Sequence, residues 1–248
     1  MTDALGWRRR IAALVPGTNT VVEPDLHSMT VPGVTVHTGR VPVESPDIST
    51  DAALAALVSR VRADLTACAL SLLATRPDTL VLGMSLESFL DDPDAESGRL
   101  GAALEARGVA FVDAGSALRA AFDALDVRRV GLLTPYRPEA NAMVRRFFTE
   151  ELGVEVVALR AVDCPTAHAI AEVPEDRLRT ELTELARSEP QAIVQSGTNL
   201  SALRLADEAE RRLGLPVLAI NAVLWWRALR ASGIADRRPG FGVLMRQH

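Results

Sequence analysis

The sequence predicts an α/β fold of two pseudo-symmetric lobes, each a short parallel sheet flanked by helices, with an active-site cleft between them. Three observations predict it. Short apolar runs alternate with longer stretches of helical periodicity, the pattern of a parallel sheet covered on both faces. The pattern then restarts: Arg9-Arg10-Ile11-Ala12-Ala13-Leu14-Val15-Pro16 resembles Arg128-Arg129-Val130-Gly131-Leu132-Leu133-Thr134-Pro135, with Asn19 after the first and Asn141 after the second. Later, Leu80-Val81-Leu82-Gly83-Met84-Ser85 echoes Ile193-Val194-Gln195-Ser196-Gly197-Thr198.

Arg10 to Val15 reads as a buried strand ended by Pro16-Gly17, and Val34 to His37 as a second. Asp51 to Ala74 carries Leu54, Leu57, Val58, Val61, Leu65 and Cys68 at helical spacing, with Ser49, Thr50 or Asp51 as its cap. Thr79 to Leu82 is a third strand, Ala95 to Arg107 a helix closed by Gly108, Val109 to Val112 a fourth strand and Ser116 to Leu125 a helix. In the second half, strands are expected at Arg128 to Leu133, Val154 to Leu159, Ala192 to Gln195 and Val217 to Ile220. Helices are expected at Pro138 to Leu152, Pro174 to Arg187, Leu200 to Leu213 and Ala222 to Ala231. The repeat assigns 1–122 and the returning segment 221–248 to the first lobe, and 123–220 to the second. No Gly/Ser-rich linker separates them, so one tightly packed unit is expected.

The chain has 248 residues, 48% of them hydrophobic, enough for one large core or two small ones. A net charge of -5 leaves no electrostatic footprint for nucleic acid. Arg8-Arg9-Arg10 sits directly before a strand and reads as its solvated entrance. No apolar run reaches the roughly 20 residues of a membrane span, and Met1 to Trp7 has no signal-type apolar region. Two cysteines, Cys68 and Cys164, lie far apart without metal-ligand spacing. The expectation is a cytoplasmic protein without nucleic-acid or membrane partner, metal or disulfide framework. Cys68 falls on the apolar helix stripe. Trp225-Trp226 either forms a dimer face or returns to the core.

In open parallel sheets ligands bind beyond the carboxyl ends of the strands, so the strand-end loops are the candidate site. Pro16-Gly17-Thr18-Asn19-Thr20 offers Asn19, as a donor to a substrate carboxylate or as a helix cap. Gly83-Met84-Ser85-Leu86-Glu87 offers Ser85 and nearby N–H groups as an anion site, and Glu87 as an acid or base or a first-turn dipole partner. Pro135-Tyr136-Arg137 offers the chain's single tyrosine as an oxyanion donor, and Arg137 as a carboxylate partner or a solvated charge. Ser196-Gly197-Thr198-Asn199 offers backbone N–H groups and the Thr198 hydroxyl. Asp163-Cys164-Pro165-Thr166-Ala167-His168 offers a thiol and an imidazole beside a helix start, or a buried thiol and a helix-face histidine. No dinucleotide, phosphate-loop or zinc pattern appears.

As a set, Val15 to Thr20, Gly83-Met84-Ser85, Thr134-Pro135-Tyr136 and Ser196 to Leu200 resemble the four loops of maleate cis–trans isomerases and arylmalonate decarboxylases, in the aspartate/glutamate racemase superfamily. The likeness covers nearly the whole chain and extends to Arg238-Pro239-Gly240-Phe241-Gly242. It implies a cofactor-free enzyme with a pseudo-twofold site. Asn19 and Tyr136 would contact carboxylate and transition state, and Ser85 and Thr198 would donate from hydroxyl and backbone; with the loop reading above, Met84, Gly197, Asn199 and Arg137 complete the expected substrate contacts. It also implies a departure. Racemases and isomerases of this group carry one cysteine per lobe, where Met84 and Gly197 stand here, and the decarboxylases keep only the second. Two-thiol racemisation and thiolate addition to an alkene from position 197 are therefore excluded. Proton transfer would have to move to Cys164, His168, Glu87 or Tyr136, in that order.

The leading expectation is a cofactor-independent isomerase or decarboxylase-type lyase acting on a small (di)carboxylate through an enediolate-like anion. Two alternatives stay open. One is a carboxylate-binding or regulatory protein that has lost catalysis, the other a hydrolase or hydratase on the same framework.

Overall fold

The computed structural model describes residues 3–89 and 96–248. The first half runs β1 (Arg9–Pro16), α1 (Val22–Ser28), β2 (Val34–Val41), α2 (Asp51–Leu72), β3 (Thr79–Leu82), α3 (Ser85–Phe89), α4 (Glu96–Glu105), β4 (Ala110–Val112) and α5 (Ala114–Leu125). The second runs β5 (Arg129–Thr134), α6 (Pro138–Arg146), β6 (Glu155–Ala161), α7 (Ala167–Ala171), α8 (Glu175–Ala186), β7 (Ala192–Gln195), α9 (Leu203–Leu213) and β8 (Val217–Ala219). Helices α10 (Ile220–Ala231) and α11 (Gly242–Gln247) close the chain. The expected helix start at Ala95 lies outside the described residues.

The strands form two parallel sheets of identical order, β2-β1-β3-β4 and β6-β5-β7-β8. In the first, Ile11 of β1 stands opposite Val36 and Thr79. In the second, Leu132 of β5 stands opposite Leu159 and Val194. The duplication visible in the sequence is therefore a duplication of topology. The middles of the central strands are continuous apolar runs, not alternating, because helices cover both their faces. Ile11, Ala12, Ala13 and Leu14 are all fully buried.

Local chemistry sets the helix ends. Thr50 Oγ1 accepts from Ala53 N at 3.1 Å to start α2, and Asp113 and Ser116 form a capping box at α5. Gly214 ends α9 at φ 72°, a left-handed position where a side chain would be strained. Four short helices, α1, α3, α7 and α11, leave no periodic mark in the sequence. Each has seven residues or fewer, too few to show a helical period.

The lobes share an apolar seam. Phe89 of α3 packs at 5.1 Å (centroid to centroid) on Phe147 and at 5.8 Å on Phe148. Those two residues stand in the wide turn Phe147–Glu151 that follows α6. Phe122 of α5 closes the cluster at 6.2 Å from Phe148. Helix α10 packs on α1, α5 and β3 of the first sheet. Trp225 and Trp226 are buried there, with the Trp225 indole N–H donating to Met29 O at 2.9 Å, so this pair returns to the core. Cys68 is partly buried against the same core. The arginine run holds the C-terminal segment: Arg8 pairs with Asp236 at 2.6 Å, and Arg9 Nε donates to Ser232 O at 2.8 Å. Among the described residues no helix is long and apolar enough to cross a membrane.

Phe148 is fully buried at the seam, so Phe148→Ala should cost about 3–5 kcal/mol. Urea unfolding followed by circular dichroism should show one cooperative transition shifted to lower denaturant. Two separated transitions would mean the lobes do not depend on this contact.

Candidate active site

The strand-end loops of the two sheets meet at one partly open cavity of about 70 Å³, well above the roughly 10–15 Å³ that one water requires. Its polar floor comes from the four loops after β1, β3, β5 and β7, through Asn19, Ser85, Tyr136 and Thr198. Met84, Gly197 and Asn199 also line it. An apolar wall completes the lining: Leu54, Leu57 and Val61 of α2, Leu86 of α3, Ile48, and Ala167 and Ile170 of α7.

The floor is built by a reciprocal exchange between lobes. Ser85 Oγ donates to Ser196 O at 2.5 Å, and Thr198 Oγ1 donates to Gly83 O at 3.1 Å. Ser85 and Thr198 are counterparts in the repeat, and so are Gly83 and Ser196. Each hydroxyl thus spends its proton on the other lobe's backbone. This corrects the expectation that these hydroxyls donate to substrate. What the loops offer an anion is their backbone. Among the described residues, the N–H groups of Met84, Gly197, Thr198 and Asn199 donate to no other residue, although all four residues are buried. Buried N–H groups without an acceptor are rare and mark a place for a ligand or water.

Each floor side chain is held from behind. Asn19 Oδ1 accepts from Val21 N at 3.0 Å and Val22 N at 2.9 Å, a side-chain turn that leads into α1. Its Nδ2 faces Thr198 Oγ1 at 3.4 Å, a long contact that leaves donor capacity toward the cavity. Asn19 is thus fixed at the entrance to α1 with donor capacity left toward the cavity. Asn199 Oδ1 accepts from Thr20 N at 3.0 Å and its Nδ2 donates to Ala167 O at 2.8 Å, so this side chain ties loops together and only its backbone faces a ligand. Asn141 Nδ2 donates to Tyr136 O at 2.9 Å, while the Thr134 hydroxyl donates to Asn141 Oδ1. That pair fixes the tyrosine turn.

Tyr136 is the one residue with an ionisable side chain among those lining the cavity. Burial pushes its phenol up to about 12, so at neutral pH it is an O–H donor. Its oxygen lies 3.5 Å from Ser85 Oγ, the outer limit of a hydrogen bond, so the proton is weakly held and can turn into the cavity.

The structure does not bring the other expected acids and bases to the cavity. Cys164 is buried behind α7, with its thiol toward Ala169 O at 3.8 Å. Burial pushes that thiol up to about 11, away from thiolate. His168 is exposed. Thr166 Oγ1 caps α7 by accepting from Ala169 N at 3.1 Å, and the register this sets turns Ala167 and Ile170 inward and His168 outward. Glu87 is buried but committed: both its oxygens accept from Arg62 Nε at 2.9 Å. Arg137 is exposed at the start of α6. No group of three or more potential metal ligands occurs among the described residues.

A family model, arylmalonate decarboxylase, matches residues 56–245. The chain belongs to the arylmalonate decarboxylase family. It is 27% identical to the maleate isomerase of Nocardia farcinica over 96% of both chains. It is 33% identical to the arylmalonate decarboxylase of Bordetella bronchiseptica over 56% of this chain and 59% of that one. A solved structure of the Nocardia farcinica maleate cis–trans isomerase, a cysteine-to-serine variant with a covalently bound succinylcysteine intermediate, superposes with a TM-score of 0.83. It shares 26% identity and covers 97% of this chain and 99% of that one. The protein is an enzyme of isomerase or carbon–carbon lyase type.

Within this family member, neither of the two cysteines lines the cavity. At position 197 a side chain has no room. A Cβ there would lie 2.6 and 2.7 Å from Cγ and Cδ of Pro135, a rigid ring. Gly197→Ala should therefore cost about 1–3 kcal/mol in urea unfolding. The control, Gly98→Ala on α4, meets nothing within 4 Å and should be stabilising by about 0.5–1 kcal/mol. Equal effects at the two sites would mean Pro135 does not close position 197.

Proposed function

We propose that the protein is a cofactor-independent decarboxylase acting on a malonate-type dicarboxylate that carries an apolar substituent. The observation that supports this most is the division of the cavity into a neutral hydrogen-bonding floor and an apolar wall with no thiol. A maleate-like substrate, polar at both ends, would leave the wall of Leu54, Leu57, Val61 and Ile170 without a partner. Cis–trans isomerisation through a cysteine adduct, of the kind the succinylcysteine of the Nocardia enzyme represents, needs a nucleophile that neither cysteine can bring to this cavity.

In this reading one carboxylate sits on the floor, accepting from the backbone N–H groups of the β3 and β7 loops and from Asn19. The second carboxylate stands against the apolar wall. Loss of water there destabilises it relative to CO₂, in which the charge has moved away. The bond between the α-carbon and this carboxylate breaks. Its electron pair stays on the α-carbon and spreads into the retained carboxylate as an enediolate, whose growing charge the preorganised N–H groups stabilise. The Tyr136 hydroxyl then delivers its proton to the α-carbon, giving the monocarboxylate, and the phenolate regains a proton from water. A phenol at about 12 is acidic enough to quench such a carbanion, yet stays protonated across the working range. The role expected of Cys164 or His168 passes to Tyr136.

Purified protein should release CO₂ from phenylmalonate or an alkyl-substituted malonate and leave maleate unchanged. Tyr136→Phe should lower kcat by about 10²–10⁴-fold with little change in KM, and Cys164→Ala should leave both unchanged. Turnover of maleate, or activity lost with Cys164 and kept without Tyr136, would contradict the proposal. Tight binding of phenylmalonate with no turnover would favour a carboxylate-binding protein instead.

A further inference from the structure

We propose that Asp25 is a positioning residue of the anion floor, acting through Asn221 on the peptide that joins Thr198 to Asn199. The proposal rests on the floor being a carboxylate site, as inferred above.

Asp25 stands on α1, the helix whose first residue, Val22, donates its N–H to the floor residue Asn19. Asn221 stands in the first turn of α10 and is only 2% exposed. Its Nδ2 donates to Asp25 Oδ2 at 2.8 Å and to Thr198 O at 3.0 Å. The peptide unit is planar and trans, so its carbonyl and N–H point in opposite directions. Holding Thr198 O therefore aims the Asn199 N–H, one of the unpaired donors of the floor. With Asn19 Nδ2 facing Thr198 Oγ1 at 3.4 Å, the network closes: Asn19, α1, Asp25, Asn221, the Thr198 loop and back to Asn19.

The amide orientation is the part that depends on Asp25. Asn221 gives both Nδ2 protons away, while its Oδ1 is buried without a hydrogen-bond partner. Leaving a buried carbonyl oxygen unsatisfied is costly, and it is tolerated here because an ionised carboxylate accepts only and demands the NH₂ side. A protonated Asp25 presents an O–H, which pairs best with Asn221 Oδ1. Turning the amide to meet it would set Oδ1 against Thr198 O and release that carbonyl. Burial raises Asp25 to about 6, opposed by the Asn221 hydrogen bond and by Arg204. The turn would therefore fall within the range of cellular pH. Other charged groups lie around α1. Arg204 of α9 and Glu175 border the same surface cleft as Asp25. Arg40 of β2 pairs with Glu23 at 2.8 Å, Arg238 Nη2 donates to Ser28 O at 3.2 Å, and His27 is exposed.

The decisive experiment needs no substrate. In a ¹⁵N-labelled sample titrated from pH 5 to 8, the Asn221 side-chain amide and the Asn199 backbone amide should move together, with one midpoint at about 6. Both should stay still in Asp25→Asn. A static Asn199 amide in the wild type would overturn the proposal. Phenylmalonate binding by calorimetry is the functional readout. Wild-type affinity should fall about five- to tenfold below the midpoint, the worth of about one hydrogen bond, while the variant should be weaker at pH 8 and independent of pH. Coupled amides without phenylmalonate binding would leave the device standing and sink the substrate reading. Binding that ignores both pH and Asp25→Asn would sink the device alone. Stability gives a sign check. A raised carboxyl stabilises the fold fully below its ordinary value of 3.8 and loses that contribution as pH rises through about 6, so Asp25→Asn should flatten the fall in Tm over that window.

Discussion

Two hydroxyl-to-carbonyl hydrogen bonds, exchanged between the lobes, set the terms for the rest of this molecule. Ser85 reaches across to Ser196 O, and Thr198 reaches back to Gly83 O. The pair fastens the β3 and β7 loops face to face. It consumes the two hydroxyl protons that a substrate could otherwise have used. Among the described residues, the loops so held leave the N–H groups of Met84, Gly197, Thr198 and Asn199 free of internal acceptors. An oxyanion site made of backbone donors is preorganised, since nothing must reorient as charge develops. It is also neutral, so in the proposed reaction it would hold carboxylate without a cationic side chain.

That geometry is compatible with chemistry at a cavity that no cysteine lines. A thiol at 197 would meet the Pro135 ring, and Met84 carries no acidic proton. What the proposal uses is an apolar lining to penalise a desolvated carboxylate, backbone donors to stabilise an enediolate, and one phenol that stays protonated at neutral pH. Decarboxylation asks for those three things. Adduct-forming isomerisation asks for a nucleophile besides. Asp25 and Asn221 belong to the same logic one layer out, since an N–H donor is only as well aimed as the carbonyl on the other side of its peptide.

The fold is legible in the sequence because its signals are periodic and redundant. The Arg9–Pro16 and Arg128–Pro135 runs repeat, and the sheets they open have the same strand order. Four of the strand-end loops are legible as well, since tight turns with short polar side chains at strand ends point to one edge of a sheet. Side-chain direction is not. Cys164, His168 and Glu87 carry the right chemistry, yet one faces inward behind α7, one faces solvent and one is paired with Arg62. The five-residue α7 decides the first two, and only its Thr166 cap and the Ala167–Ile170 spacing hint at it. The cavity wall is hidden for the opposite reason. Leu54, Leu57 and Val61 read as a core stripe, and they are that, but the stripe also faces the ligand space. Asp25 and Asn221 form no motif at all, because their contact joins residues 196 positions apart.

The central claim is that backbone donors and Tyr136, without a thiol, meet the reacting carbon. The most direct measurement is a crystal structure of the protein with phenylmalonate soaked into the Tyr136→Phe variant. A carboxylate accepting from the N–H groups of Met84 and of Gly197, Thr198 and Asn199, with the ring against Leu57, Val61 and Ile170 and position 136 nearest the α-carbon, is the predicted result. A ligand seated elsewhere, or with Cys164 or His168 turned in at the α-carbon, would contradict it.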